Sequence, residues 1–229
     1  MSGREPGATA GARPLRIGLT GPIGCGKSTV ARWLGERGGL VIDADELSRQ
    51  VMVPESPAVV RIGERFGASV LHPDGSIDRA ALAARVFGDQ AALADLEAIV
   101  HPGVRERIVA ALETAAAEMR PFVVIEAIKL VEGGLAALCD EVWLIDCPAS
   151  EQRARLLDRG LSPADLERRL AAQGPDLAER LAPAATRRIS TAGHPAAARA
   201  RVEAALDAVR LRSSGASERR GGSPGPDRP

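Results

Sequence analysis

Residues 18–31 read GLTGPIGCGKSTVA, and Gly21, Gly26, Lys27 and Ser28 within them fit the spacing G-x-x-x-x-G-K-[ST]. That spacing suits a loop that wraps phosphates. A strand turning sharply into a helix points several backbone N–H groups at one place, and the helix N-terminus adds roughly half a positive charge. Glycines at 21, 24 and 26 allow close approach. Lys27 brings a point charge to the β- and γ-phosphates, and Ser28 a hydroxyl for Mg²⁺. A glycine-rich structural turn would explain the glycines but not the lysine. Lysine occurs twice against 28 arginines, so a chain of this composition would match the pattern by chance about 0.002 times. Cys25 and Thr29 belong to the same loop. Cys25 is an oxidation candidate if the helix terminus lowers its thiol pKa, or simply a small residue the loop tolerates.

Two acids come next. Asp43 and Asp45 follow the apolar run Leu40–Ile42, and in open α/β sheets ligands bind beyond the carboxyl ends of strands. An aspartate there can approach a γ-phosphate and take the proton of an acceptor hydroxyl. Helix capping would account for one acid, since Asp45 precedes Glu46-Leu47-Ser48. Arg153, Arg155 and Arg159 lie on one predicted helix, where Arg155 and Arg159 share a face. They suit a closing lid that clamps phosphates, or a solvated face on which Glu151 pairs with Arg155.

The elements that must position these residues alternate along the chain. Strands are predicted at Leu15–Leu19, Leu40–Ile42, Phe122–Ile125 and Val142–Ile145, with helices at Lys27–Arg37, Ser150–Arg159, Pro163–Gln173 and Ala196–Leu211. The apolar runs do not alternate with polar residues, as in strands buried on both faces of a parallel sheet. The pattern is an α/β doubly wound fold. Residues 46–119 read as a mostly helical block inserted over the strand ends. Residues 1–13 and 212–229, rich in Gly, Pro, Ser and charge, read as disordered tails.

Composition narrows the function. Acidic and basic residues balance at 30 each, which favours neither nucleic acid nor membrane as a partner. No apolar run approaches the ~20 residues of a membrane span, and residues 1–14 have no apolar core of the kind a secretory signal needs. Three cysteines without metal-ligand spacing suggest reduced thiols in a cytoplasmic protein. A GTPase would need an Asn-Lys-x-Asp guanine reader, and the chain has no asparagine. A larger ATPase needs more sheet than 229 residues readily supply. A kinase of a small acceptor fits best, ahead of a protein that holds ATP without transferring it.

The order GLTGPIGCGKSTVA, VIDADELSRQV, DGSIDRAAL, LEAIVHPGV, VVIEAIKLVEGG, CDEVWLIDCP and EQRARLLDRGLSPADLERRLAAQ resembles the dephospho-CoA kinase family from about residue 15 to 175. The resemblance implies a P-loop core (14–45, 120–148 and 176–211), a helical CoA-binding insertion (46–119) and a helical lid (149–175). It implies ATP and dephospho-CoA as small-molecule substrates, with Mg²⁺ as cofactor; the oligomeric state is not read from the sequence, a monomer being favoured. Gly21, Gly24, Cys25, Gly26, Lys27, Ser28 and Thr29 would hold ATP. Asp45 would face the acceptor hydroxyl, with Lys27, Arg155 and Arg159 completing the catalytic set. Asp43, Arg79 and His101 would lie on the acceptor side, although a His101-Pro102 pair can also mark a helix start. Where the family has Asp, an apolar residue and Pro-Leu-Leu, this chain has Glu126-Ala127-Ile128-Lys129-Leu130. Glu126 would serve Mg²⁺ with Ser28, and Lys129 would reach a substrate phosphate or stay solvated. The stretch ATRRISTAGHP lacks the family's Asp and Asn near the adenine.

Overall fold

The computed structural model describes residues 13–221, with side chains to 212. The chain runs β1 (Leu15–Thr20), α1 (Lys27–Glu36), β2 (Leu40–Asp43), α2 (Ala44–Val51), α3 (Pro57–Phe66), α4 (Arg79–Val86), α5 (Gln90–Ala117) and β3 (Phe122–Glu126). It continues through β4 (Glu141–Asp146), α6 (Ala149–Asp158), α7 (Pro163–Gln173), α8 (Leu177–Leu181), β5 (Arg187–Ser190) and α9 (Pro195–Gly221).

The five strands pair in the order β2-β3-β1-β4-β5, every pairing parallel. Side chains along a strand alternate faces, and β3 shows the outcome. Phe122 and Val124 join Ile17, Leu19, Trp143 and Ile145 on one face, packed against Val30, Trp33 and Leu34 of α1 and Val202 and Leu206 of α9. Val123 and Ile125 turn to the other face and the apolar side of α2–α5. Both faces are therefore covered, which is why these strands carry unbroken apolar runs. The order reverses about β1, which has β3 on one side and β4 on the other. That reversal opens a crevice at the carboxyl end of the sheet, where the loop Gly21–Gly26 emerges.

Several expectations need correction. β5 was not read from the sequence; of its four residues only Ile189 is buried. His101-Pro102 does not start a helix: Pro102 lies inside the 28-residue α5, where its ring costs one backbone hydrogen bond. The expected tails at 1–13 and 212–229 lie outside the described residues over 1–12 and 222–229. Arg13 is described and pairs with Asp140 at 2.6 Å, and α9 runs past Leu211 to Gly221. Nor are all three thiols reduced, since Cys25 and Cys147 are joined by a disulfide. The parallel register sets Thr20 of β1 beside Leu144 of β4. The segments leaving those strands consequently meet, bringing the two Cα atoms to 5.2 Å across 122 residues of chain.

One glycine in the loop is dictated by sterics. Gly21 has φ +138°, and a Cβ there would stand 2.1 Å from the Ile145 carbonyl oxygen. Gly21→Ala is expected to cost about 3 kcal/mol or more, read from the midpoint of urea unfolding.

Candidate active site

The loop closes over its own lysine. Gly26, at φ +87°, caps α1 with no side chain of its own, and Lys27 starts the helix. Its Nζ donates to the carbonyl oxygens of Gly21 at 2.8 Å and Pro22 at 3.2 Å. Burial pushes the Lys27 ammonium below the ordinary lysine range, against the opposing pull of Glu126 and Asp45, and Arg159 adds to the depression. A cation held this way is poised to exchange carbonyl oxygens for phosphate oxygens. Ser28 beside it is exposed.

Three carboxylates gather at the strand ends. The register sets Asp43 of β2 beside Glu126 of β3. Asp43 is the cap of α2: its Oδ1 accepts from the backbone N–H groups of Asp45 at 2.9 Å and Glu46 at 3.0 Å. Capping thus falls to Asp43 and not to Asp45. Asp45, the second residue of α2, and Glu126 are both half-buried, and among the described residues neither carboxylate accepts a hydrogen bond. Burial raises the Asp45 carboxyl above the usual range, Asp43 adds to this, and Lys27 and Arg49 oppose it. Glu126 is raised by burial, with Asp43 and Asp45 adding and Lys27 opposing. Two ionisable acids left without protein donors beside a buried ammonium suit a hydroxyl or a hydrated cation. Among the described residues no cluster of three His, Cys, Asp or Glu forms a metal cage. Mg²⁺ does not call for one, since it keeps its waters and uses substrate phosphates.

Asp45 also lines a small cavity with Ser48, His101, Lys129 and Gly133. The residues at 45 and 101 meet there because α2 and α5 pack together over β3. Lys129 ion-pairs with Glu97 of α5. Arg79 stands elsewhere, on an apolar cavity of about 240 Å³ with Met52, Ile77 and Leu96.

On the other side of the loop, Gly26, Thr29, Trp33, Arg155, Arg159 and Thr191 line a cavity of about 150 Å³. Arg155 donates to Glu151 Oε2 at 2.6 Å and to Thr191 Oγ1 at 2.9 Å, so the expected Glu151 pair exists while the guanidinium still faces the loop. Arg153 turns away to pair with Glu167 of α7. Thr191 went unread in the sequence. Its buried hydroxyl donates to the Cys25 carbonyl at 2.8 Å, joining Arg155 to the loop. The only hint was its place in ATRRISTAGHP, after β5. Thr191→Val would leave that carbonyl unpaired and take one partner from Arg155, which keeps Glu151 and the Thr191 backbone carbonyl. A stability loss of roughly 1–3 kcal/mol is expected, with a raised KM for ATP, measured by thermal unfolding and initial rates.

Comparison with known proteins decides among small-acceptor kinases. A family model described as dephospho-CoA kinase matches residues 15–189. The chain belongs to the dephospho-CoA kinase family. The dephospho-CoA kinase of Symbiobacterium thermophilum is 46% identical over 194 residues, covering 84% of this chain and 80% of that protein. That of Moorella thermoacetica is 45% identical over 191 residues, covering 82% and 89%. Among solved structures, TT1252 from Thermus thermophilus superposes with a TM-score of 0.71 at 33% identity, covering 88% of this chain and 98% of that one. The dephospho-CoA kinase from Campylobacter jejuni, at 24% identity and a TM-score of 0.55 over 86% and 98%, shares the fold. Like the rest of its family, the chain is a kinase on a P-loop sheet.

Proposed function

We propose that this member of the dephospho-CoA kinase family transfers the γ-phosphate of ATP to the ribose 3′-hydroxyl of dephospho-CoA, giving coenzyme A, with the roles below. Residues 14–45, 120–148 and 176–211 are the core, 46–119 the acceptor-binding insertion and 149–175 the lid. The observation that carries this reading is the Asp45 carboxylate. It is half-buried, without a hydrogen-bond donor among the described residues, within reach of the Lys27 charge and on the wall of the cavity that holds His101.

The amides of Gly24, Cys25 and Gly26 and the Lys27 ammonium grip the nucleotide's phosphates, with Gly21 making the turn and Thr29 on the same wall. Lys27 leaves the Gly21 and Pro22 carbonyls to spread charge off the γ-phosphoryl as it transfers. Asp45 orients the 3′-hydroxyl in line and takes its proton. His101 and the α2 cap formed by Asp43 hold the acceptor side, and Arg79, on its separate apolar cavity, would meet a more distant part of the acceptor. Arg155 and Arg159 close over the phosphates and exclude water, which would otherwise take the phosphoryl group. The Ser28 hydroxyl and, through water, Glu126 would hold Mg²⁺. When bound with ATP, the ion draws negative charge from the terminal phosphates. Among the described residues no helix is long and apolar enough to cross a membrane.

The test is incubation with ATP, Mg²⁺ and dephospho-CoA, with coenzyme A followed by mass. A panel of nucleoside monophosphates, shikimate and sugars is run with an ADP readout. ADP stimulated by one of those, and not by dephospho-CoA, would sink the acceptor assignment.

A further inference from the structure

We infer that Cys25 and Cys147 form a redox-modification site, open to exchange with low-molecular-weight thiols and disulfides, that ties the phosphate loop to the foot of α6. The two sulfurs belong to segments 122 residues apart that the β1–β4 register brings together. Cys25 is 1% exposed. Cys147 is half-buried and lines a cavity of about 400 Å³ with Pro22, Gln152, Arg153, Gln173 and Arg188. That cavity gives a small thiol a route to one sulfur of the pair and not to the other. The third cysteine takes no part: burial, with Asp140 adding to it, pushes the Cys139 thiol up to about 12, and it remains free.

The exchange follows from this asymmetry. A small thiolate enters the cavity and attacks Cys147 Sγ, forming a mixed disulfide there. The Cys25–Cys147 bond breaks, and Cys25 leaves as a thiolate one residue before the cap of α1 begins the helix, where the helix dipole stabilises the charge. A second small thiolate attacks the outer sulfur of the mixed disulfide, releasing the Cys147 thiolate and a small disulfide. Both protein thiolates then take protons. Net, the protein disulfide gains two electrons and two protons from two small thiols. Oxidation is the reverse, with the small disulfide as the two-electron acceptor.

The tie acts where the chain enters the helical hairpin α6–α7. Pro148 follows Cys147 and caps α6. The same hairpin already holds the loop by weaker bonds. Gln152 donates to the Ile23 carbonyl at 2.7 Å, and Gln173 accepts from the Ile23 N–H at 3.0 Å. Such bonds can open and reform during a closing motion, whereas a covalent link cannot. The oxidised pair therefore fixes one of the two chain crossings into the hairpin and slows turnover, because lid motions commonly limit kcat. This effect on rate rests on the kinase reading; the exchange chemistry does not.

The experiment equilibrates the full chain against graded ratios of reduced and oxidised glutathione. Thiols are then trapped with iodoacetamide in denaturant, counted by mass, and kcat is measured in parallel. One alkylated thiol is expected in oxidising mixtures and three in reducing ones, interconverting reversibly, with a Cys25–Cys147 cross-linked peptide after digestion. The one-thiol form should turn over several-fold more slowly, with full recovery on reduction, while Cys147→Ser holds the reduced rate at every ratio. Three alkylated thiols at every ratio, or glutathione adducts without the cross-link, would overturn the site. A reversible cross-link with unchanged kcat would overturn the link to hairpin motion. Reversible exchange in a protein that makes no coenzyme A in either state would leave the modification site standing and remove the kinase reading.

Discussion

Lys27→Ala will lower kcat for coenzyme A formation by about two to three orders of magnitude, the usual loss when one preorganised donor to a transferring group is removed. The fold should survive. The buried ammonium makes two hydrogen bonds, to the Gly21 and Pro22 carbonyls, but burial also holds it below its ordinary pKa. At neutral pH the fold therefore bears a cost for that charge, and alanine removes the cost together with the bonds. Circular dichroism should be unchanged and the melting temperature within a few degrees of the parent's. Wild-type turnover in the purified variant would remove Lys27 from the mechanism.

The second large effect is at Asp45. Asp45→Asn keeps the shape of the side chain and removes the base, so turnover should fall about 10²- to 10⁴-fold. Stability should move the other way. The Asp45 carboxyl is raised from its usual value of 3.8, so between that value and its raised value the folded protein keeps a proton the unfolded chain has lost. Stability is greatest below the ordinary value and falls as pH rises through the raised one. Near pH 8 the ionised carboxylate is a net burden, and the asparagine variant should melt at the same temperature or higher. Glu126 shares the upward direction, so the acid limb of kcat/KM should also lie above the usual aspartate range. A variant that is both slow and markedly less stable at pH 8 would mean that Asp45 holds the fold together instead of serving chemistry.

The loop was legible because its glycines and lysine answer to few structural demands other than phosphate binding. The structure shows the turn itself in atomic terms: the Ile145 carbonyl lies beneath Gly21, and Lys27 occupies two carbonyls of the loop. The central strands were legible because both faces are covered, leaving Val123, Val124 and Ile125 no polar alternation to blur them. β5 lacked that signal: at the sheet edge it buries a single apolar side chain, Ile189. Local pattern pointed to Asp45 as the cap, because Glu46-Leu47-Ser48 follows it; the backbone turn at Asp43 starts the helix at Ala44 and puts Asp45 inside it. The disulfide and the Thr191 bridge were invisible for another reason. Both join segments more than a hundred residues apart, and their proximity follows from strand order, which single-residue spacing does not carry. Arg155 sat between these cases. Spacing offered both its Glu151 pair and a clamp over phosphates, but not the Thr191 bond that sets it beside the loop.

Lys27 rests on two oxygens that belong to the loop itself. When spent nucleotide leaves, the ammonium is not surrendered to an empty, dry hollow but returns to a berth already waiting for it. The enzyme thus carries a built-in competitor for its own ligand. On the proposed role of Lys27, that berth lowers the affinity for ATP somewhat and eases the departure of ADP.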